Sequence, residues 1–166
     1  MQYISYRGLV NGQDPQAANT PAQIAKAFGF GFACMVDAWR VSNIIYLGSD
    51  LPLTEVSPNY LKGKKFYINA RNAEMYSWLQ TQSLTDYPNY FTISLPLQNY
   101  YTTSNTTLWT FQTNPVNNNS IMVLPESYDS GLFSTVNLRC FGVCSSLCPT
   151  IKRMRNEGLS IYGPFY

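Results

Sequence analysis

The chain of 166 residues contains no histidine. Imidazole, with a pKa near ~6.5, is the side chain that most readily gives and takes protons at neutral pH. Acid–base chemistry would therefore have to run on other groups. The next chemistry-bearing set is four cysteines, Cys34, Cys140, Cys144 and Cys148. The last three fall at i, i+4, i+8, which suggests a metal cluster at first sight. Zinc, however, takes four ligands, usually from closely spaced Cys pairs, and without histidine Cys34 would have to be the fourth. Small buried hydrophobes in a reducing compartment are the better account of these thiols. Asn105-Thr106-Thr107 and Asn118-Asn119-Ser120 match the glycosylation pattern, as chance allows in a chain rich in Asn, Thr and Ser. Tyrosine clusters at Tyr100-Tyr101 and in the Gly163-Pro164-Phe165-Tyr166 tail suit a docking surface, or a tail packed back on its own domain.

The elements that must position any site follow from periodicity and punctuation. Tyr3–Tyr6 and Ala33–Trp39 read as strands flanking a helix that Thr20 caps. Pro21 sits where its missing N–H costs nothing, Gln23 can close a capping box, and Gly29 offers a left-handed stop. Ile44–Leu47 is a further strand, and Leu51–Lys64, with Pro52, Pro58 and Gly63, a loop. Lys64–Ala70 reads as a strand, and Asn72 caps a helix reaching Gln82 with Met75, Tyr76 and Leu79 on one face. Tyr90–Leu95 is the next strand. Residues 97–118 are rich in Asn and Thr, with Leu108–Phe111 as their ordered segment. Ser120–Leu124 and Phe141–Ser145 are strands, Pro149 opens a helix that Gly158 ends, and Leu159–Tyr162 alternates as a closing strand. An eight-stranded α/β barrel typically takes about 250 residues. The expectation is one α/β domain over residues 1–166: a shortened or partly open TIM barrel of about seven or eight strands with few helices.

Four short segments carry a resemblance: Tyr6-Arg7-Gly8, Ala18-Asn19-Thr20, Met35-Val36-Asp37 and Ser49-Asp50. In order and spacing this frame resembles the opening of the glycerophosphodiester phosphodiesterase family, among the phospholipase-C-like barrels. That family reads His-Arg-Gly, Glu-Asn-Thr, Glu-x-Asp and His-Asp at these places. The likeness continues at Ile68-Asn69-Ala70-Arg71, at Ile121–Glu126 and at Gly142-Val143-Cys144-Ser145. The resemblance implies that Tyr6 and Ser49 stand at the two catalytic histidine positions. Met35, Asp37 and Asn69 stand at the cation positions, Arg7 and Arg71 at the phosphate-facing ones, with Asp50 and Glu126 as nearby acids. Tyrosine, with pKa about 10, is a poor neutral-pH base, and a serine hydroxyl does not titrate usefully. Losing acid–base assistance costs ~10²–10⁴-fold per group. A thioether is the wrong ligand for Mg²⁺ or Ca²⁺, so no cofactor is expected. Arg7 and Arg71 can still clamp a phosphate, or can pair internally with Asp37, Asp50 or Glu126; the internal pairing is favoured.

Composition bounds the rest. Net charge of +2 leaves no electrostatic footprint for nucleic acid. No run approaches the ~18–20 apolar residues of a membrane span. Met1 leads straight into a strand, so no signal peptide is expected, and the location is cytoplasmic or in a virion. Charged residues make up 12%, about half the usual share, which leaves little protection against association. The expected function is a catalytically inactive phosphodiesterase-like barrel serving as a structural or interaction protein. Shortened members of this kind look like those of large DNA viruses, so capsid or shell proteins are the expected partners. The alternatives are a binder of phosphorylated ligands and a residual phosphodiesterase with a rebuilt site.

Overall fold

The computed structural model describes residues 1–93, 100–111, 117–124 and 140–157. Among them the strands are β1 (Gln2–Tyr6), β2 (Ala33–Val41), β3 (Ile44–Leu47), β4 (Thr54–Val56) and β5 (Phe66–Ala70). They continue with β6 (Tyr90–Phe91), β7 (Tyr100–Thr102), β8 (Leu108–Thr110), β9 (Ser120–Val123) and β10 (Gly142–Ser145). The α-helices are α1 (Pro21–Gly29), α2 (Ala73–Gln80) and α3 (Cys148–Asn156).

Helix starts follow their capping residues. Thr20 Oγ1 accepts from the Gln23 amide, and Asn72 accepts from the Met75 amide at 3.1 Å. The Thr20 amide bonds to the Ala17 carbonyl, so the Gln23 side chain is not needed to complete a capping box. Gly29 stays inside α1. The left-handed residue is Gly31, because Phe30 continues the turn at φ −77° before the chain reverses. The span expected as loop between residues 51 and 64 holds β4 and a 3₁₀ turn, Pro58–Leu61, that buries Leu61. β4 and β7 are three residues each, too short for alternation to register against their Pro- and Thr-rich surroundings. Of the Tyr90–Leu95 strand only Tyr90–Phe91 pairs; residues 94–95 and the closing strand at Leu159–Tyr162 lie outside the described residues.

One curled sheet runs β6–β5–β2–β1–β10–β9–β8–β7, parallel from β6 through β8, with β7 antiparallel at its end. β3 and β4 hang antiparallel on the far half of β2, past the point where β1 stops pairing. Strands of a parallel sheet are covered on both faces, so they read as unbroken apolar runs. β5 is buried throughout, as is β2 from Ala33 to Ala38. The inner face gathers Ile4, Met35, Tyr67, Phe91, Tyr101, Trp109, Ile121 and Cys144, one from each of the eight curled strands, into a single cluster. On the outer face Ile24, Ala27, Met75 and Leu79 of α1 and α2 pack on Val36 and Ile68, while Ile151 of α3 packs on Val143 and Met122. The two end strands approach each other where the Ser104 amide donates to the Tyr90 carbonyl at 2.8 Å. The architecture is mixed α/β with a partly open, barrel-like curl.

Gly8, at φ 80°, lies under the first turn of α1: a Cβ there would sit 2.9 Å from the Ile24 amide nitrogen. All four cysteines are buried free thiols, and among the described residues no cluster of Cys, Asp and Glu could hold a metal ion. No helix among them is long and apolar enough to cross a membrane.

Trp109 is fully buried at the centre of the inner cluster, 4.8 Å from the Phe91 ring and 5.4 Å from Tyr67. Trp109→Ala is expected to cost about 3–5 kcal/mol of unfolding free energy in denaturant titrations. Leu51→Ser, at a residue 64% exposed, should stay within about 0.5 kcal/mol of the parent.

Candidate functional site

Side chains two apart on a strand share a face, and the β2–β5 register turns that rule into layers. Met35 pairs with Tyr67 inside the apolar cluster, and Asp37 pairs with Asn69 one layer above it. A step further lie Trp39 and Arg71, the Arg71 guanidinium 5.7 Å from the Trp39 ring. Polar and charged groups thus begin where the strands reach their C-terminal ends, the end at which α/β sheets carry their sites.

The chain leaves β1 through Arg7, a non-glycine residue at φ 55°. Left-handed backbone costs an L-residue about 1–2 kcal/mol, and two hydrogen bonds hold it there. The Arg7 amide donates to the Met35 carbonyl at 2.9 Å, and the Arg7 carbonyl accepts from the Asn19 amide at 2.8 Å. This posture puts Arg7 Nε 2.7 Å from Asp37 Oδ2 and the guanidinium 4.8 Å above the Tyr6 ring. The Nε–H does not point along the Oδ2 direction, so the pair is a contact of charges without a linear hydrogen bond.

Asn19 completes the arrangement from a left-handed position of its own, at φ 60°, which Asn tolerates better than most residues. Its Oδ1 accepts from the Asp37 amide at 2.8 Å, in the gap between the end of β1 pairing and the start of β3 pairing. Its Nδ2 donates to Ser49 Oγ at 2.9 Å and to Asp37 Oδ2 at 3.3 Å. Asn69 Nδ2 donates to Asp37 Oδ1 at 2.5 Å, while Asn69 Oδ1 accepts from the Ile93 amide at 3.1 Å. The fully buried Asp37 carboxylate therefore has a protein partner on each oxygen.

Two titrations are displaced. Burial pushes Asp37 above the ordinary carboxylate range, opposed by Arg7, Asn69, Arg71 and Asn19. Burial pushes Tyr6 up to about 12, with Arg7 and Arg71 opposing and Asp37 and Cys144 adding to the rise. Tyr6 stays protonated at neutral pH and can donate a hydrogen bond, but it cannot serve as a base.

The fold thus brings together Tyr6, Arg7, Asp37, Asn69 and, through Asn19, Ser49. Arg71 joins as the cation above them. Met35 is 1% exposed and turned into the apolar cluster, so its thioether belongs to the core. Asp50 is exposed and makes no ion pair among the described residues, and Glu126 lies outside them. The pairing of Arg7 with Asp37 is the internal one expected from the chain; Arg71 pairs with no acid among the described residues. Sequence reasoning did not single out Asn19 or Trp39 as site residues. The available signal for Asn19 was its type, since Asn before a Thr helix cap readily takes left-handed backbone. Chemically the cluster holds one carboxylate and two guanidiniums, with Arg71 Nε sealed from solvent and lacking a hydrogen-bond partner among the described residues. No family model, no curated protein and no solved structure matches this chain.

Removing Arg7 leaves a buried carboxylate without its cation. Arg7→Gln is expected to cost about 3–5 kcal/mol at neutral pH, and the loss should shrink on acidification as Asp37 takes up a proton. Adding Asp37→Asn to Arg7→Gln should recover much of it in a double-mutant cycle. Because the folded pKa of Asp37 is raised, the native state binds that proton more tightly than the unfolded chain does. Its contribution to stability is present below about pH 3.9 and is lost as pH rises through the folded pKa. Chemical denaturation across pH should show the parent losing stability relative to Asp37→Asn over that window; a gain would mean that attraction to Arg7 outweighs burial.

Proposed function

We propose that the protein is a catalytically inactive, phosphodiesterase-like TIM-type barrel, kept as a shape for a structural or interaction role. The observation that carries this is the saturation of Asp37: Arg7, Asn69 and Asn19 occupy the carboxylate that a divalent cation would need. Mg²⁺ or Ca²⁺ takes six or more oxygen ligands, and here an entering ion would have to displace a guanidinium. The raised pKa of Tyr6 supports the same reading, since a phenol held protonated at neutral pH cannot act as a base where the family places a histidine. The parallel run of strands with helices on its outer face, and polar groups at the strand ends, is compatible with the barrel type. The sparse charge of the chain and its resemblance to shortened barrels of large DNA viruses favour a minor capsid or accessory shell component of a virion.

One observation favours a second reading. Arg71 has a sealed Nε–H without an acceptor among the described residues, a cost of about 1–3 kcal/mol that a bound anion would remove. A non-catalytic binder of phosphorylated ligands is the corresponding alternative.

The assay is glycerophosphocholine turnover with Mg²⁺, Ca²⁺ and Mn²⁺, run beside calorimetric titration of each metal. Neither turnover nor metal binding is expected. Turnover that Asp37→Ala or Arg71→Ala abolishes would reinstate an enzyme. Titration with inositol phosphates and glycerophosphodiesters tests the second reading, which requires heat that Arg71→Ala removes.

A further inference from the structure

On the far side of the sheet from the charged mouth, the last turn of α2 faces the seam where β6 meets the β7–β8 hairpin. Between them lies an open cleft of about 290 Å³. Tyr76 and Gln80 enter it from α2, Gln82 from the segment after the helix, and Tyr90 and Thr102 from the strands. At this end of the sheet β7 runs antiparallel to β8.

Its lining carries no ionisable acid or base of the Asp, Glu, Lys or Arg type. It holds instead two phenols, two amides, several hydroxyls and the apolar side chain of Leu84. The Tyr76 and Tyr90 rings meet edge to face with centroids 6.0 Å apart, which fixes both. Ser104 and Thr103 spend their hydroxyls on the protein: Ser104 Oγ donates to the Pro88 carbonyl, and Thr103 Oγ1 bonds to Asn105. The Tyr76 and Tyr90 hydroxyls, the Gln80 amide and the Thr102 hydroxyl make no hydrogen bond among the described residues, although all four residues line one cleft. Convergent polar groups free of protein partners on a partly aromatic wall are the pattern of a small-molecule site. Absence of charge disfavours phosphates, carboxylates and cations, which would be desolvated there without a counter-charge. A neutral ring that offers hydroxyls at its rim and C–H faces to tyrosine fits both halves of the lining.

We infer that this cleft is a binding site for a neutral saccharide ring, held by Tyr76 and Tyr90 with Gln80 and Thr102 reading its hydroxyls. The site is independent of the mouth and of the function proposed for it. A ligand of about twelve heavy atoms in so open a cleft should bind in the millimolar range.

The test is protein-observed NMR of the full chain, titrated with glucose, galactose, mannose, N-acetylglucosamine, cellobiose and lactose. At least one sugar should give saturable shifts centred on Tyr76, Gln80, Tyr90 and Thr102. Gln80→Ala, at an exposed helix position that leaves the fold intact, should weaken that binding about tenfold, the loss of one well-placed hydrogen bond. Arg71→Met at the mouth should leave the sugar affinity unchanged. No saturable shift with any of the six sugars overturns the inference, as do shifts centred on the mouth or an affinity insensitive to Gln80→Ala.

Discussion

A single carboxylate buried at the ends of the strands governs this molecule. Asp37 lies at zero exposure, and a lone ion there would be too costly to keep. Its neighbours are arranged around that constraint. β1 stops at Tyr6 so that Arg7 can turn back in a left-handed conformation, and the loop before α1 delivers Asn19 into the gap in the β2 edge. Asn69 arrives in register from β5. Breaking a buried pair of this kind is far more damaging than never having had it, so the arrangement is one that cannot be dismantled one residue at a time.

The same constraint separates two regions of the inner face. Below Asp37 the strands contribute Met35, Tyr67, Phe91 and Trp109 to a dry aromatic cluster. Above it Trp39 carries the Arg71 guanidinium, and its own Nε1 donates to the Gly48 carbonyl at 2.7 Å. An aromatic residue serves as filler in one layer and as a platform in the other. The difference comes from height along the strand, set by the pairing of β2 with β5.

Much of this was legible in the chain, and the failures have physical causes. The capped helix at Thr20, the apolar runs of β2 and β5 and the Asn72 cap are local signals, and each appears where its residues require. β4 and β7 escaped because three-residue strands are specified by the edge they join more than by their own pattern. α1 ends at Gly29, but the left-handed residue is Gly31, because Phe30 continues the turn and the chain needs positive φ only two residues after Gly29. In the site, the pairing of Arg7 with Asp37 could be anticipated from charge alone. The role of Asn19 could not, because it depends on a gap in the β2 edge that exists only once β1 and β3 are both paired.

The position of β1 has a consequence for how the molecule comes into being. It is flanked by β2 on one side and on the other by β10, whose Gly142 lies opposite Gln2. Some 140 residues of chain separate those partners, so β1 waits for all of that span to be made before its second edge is covered. Long-range parallel pairing of this sort slows folding and leaves a sticky edge open during synthesis. A growing chain that stalls before β10 would leave the β1 edge beside Ile4 open to whatever nascent polypeptide lies nearby.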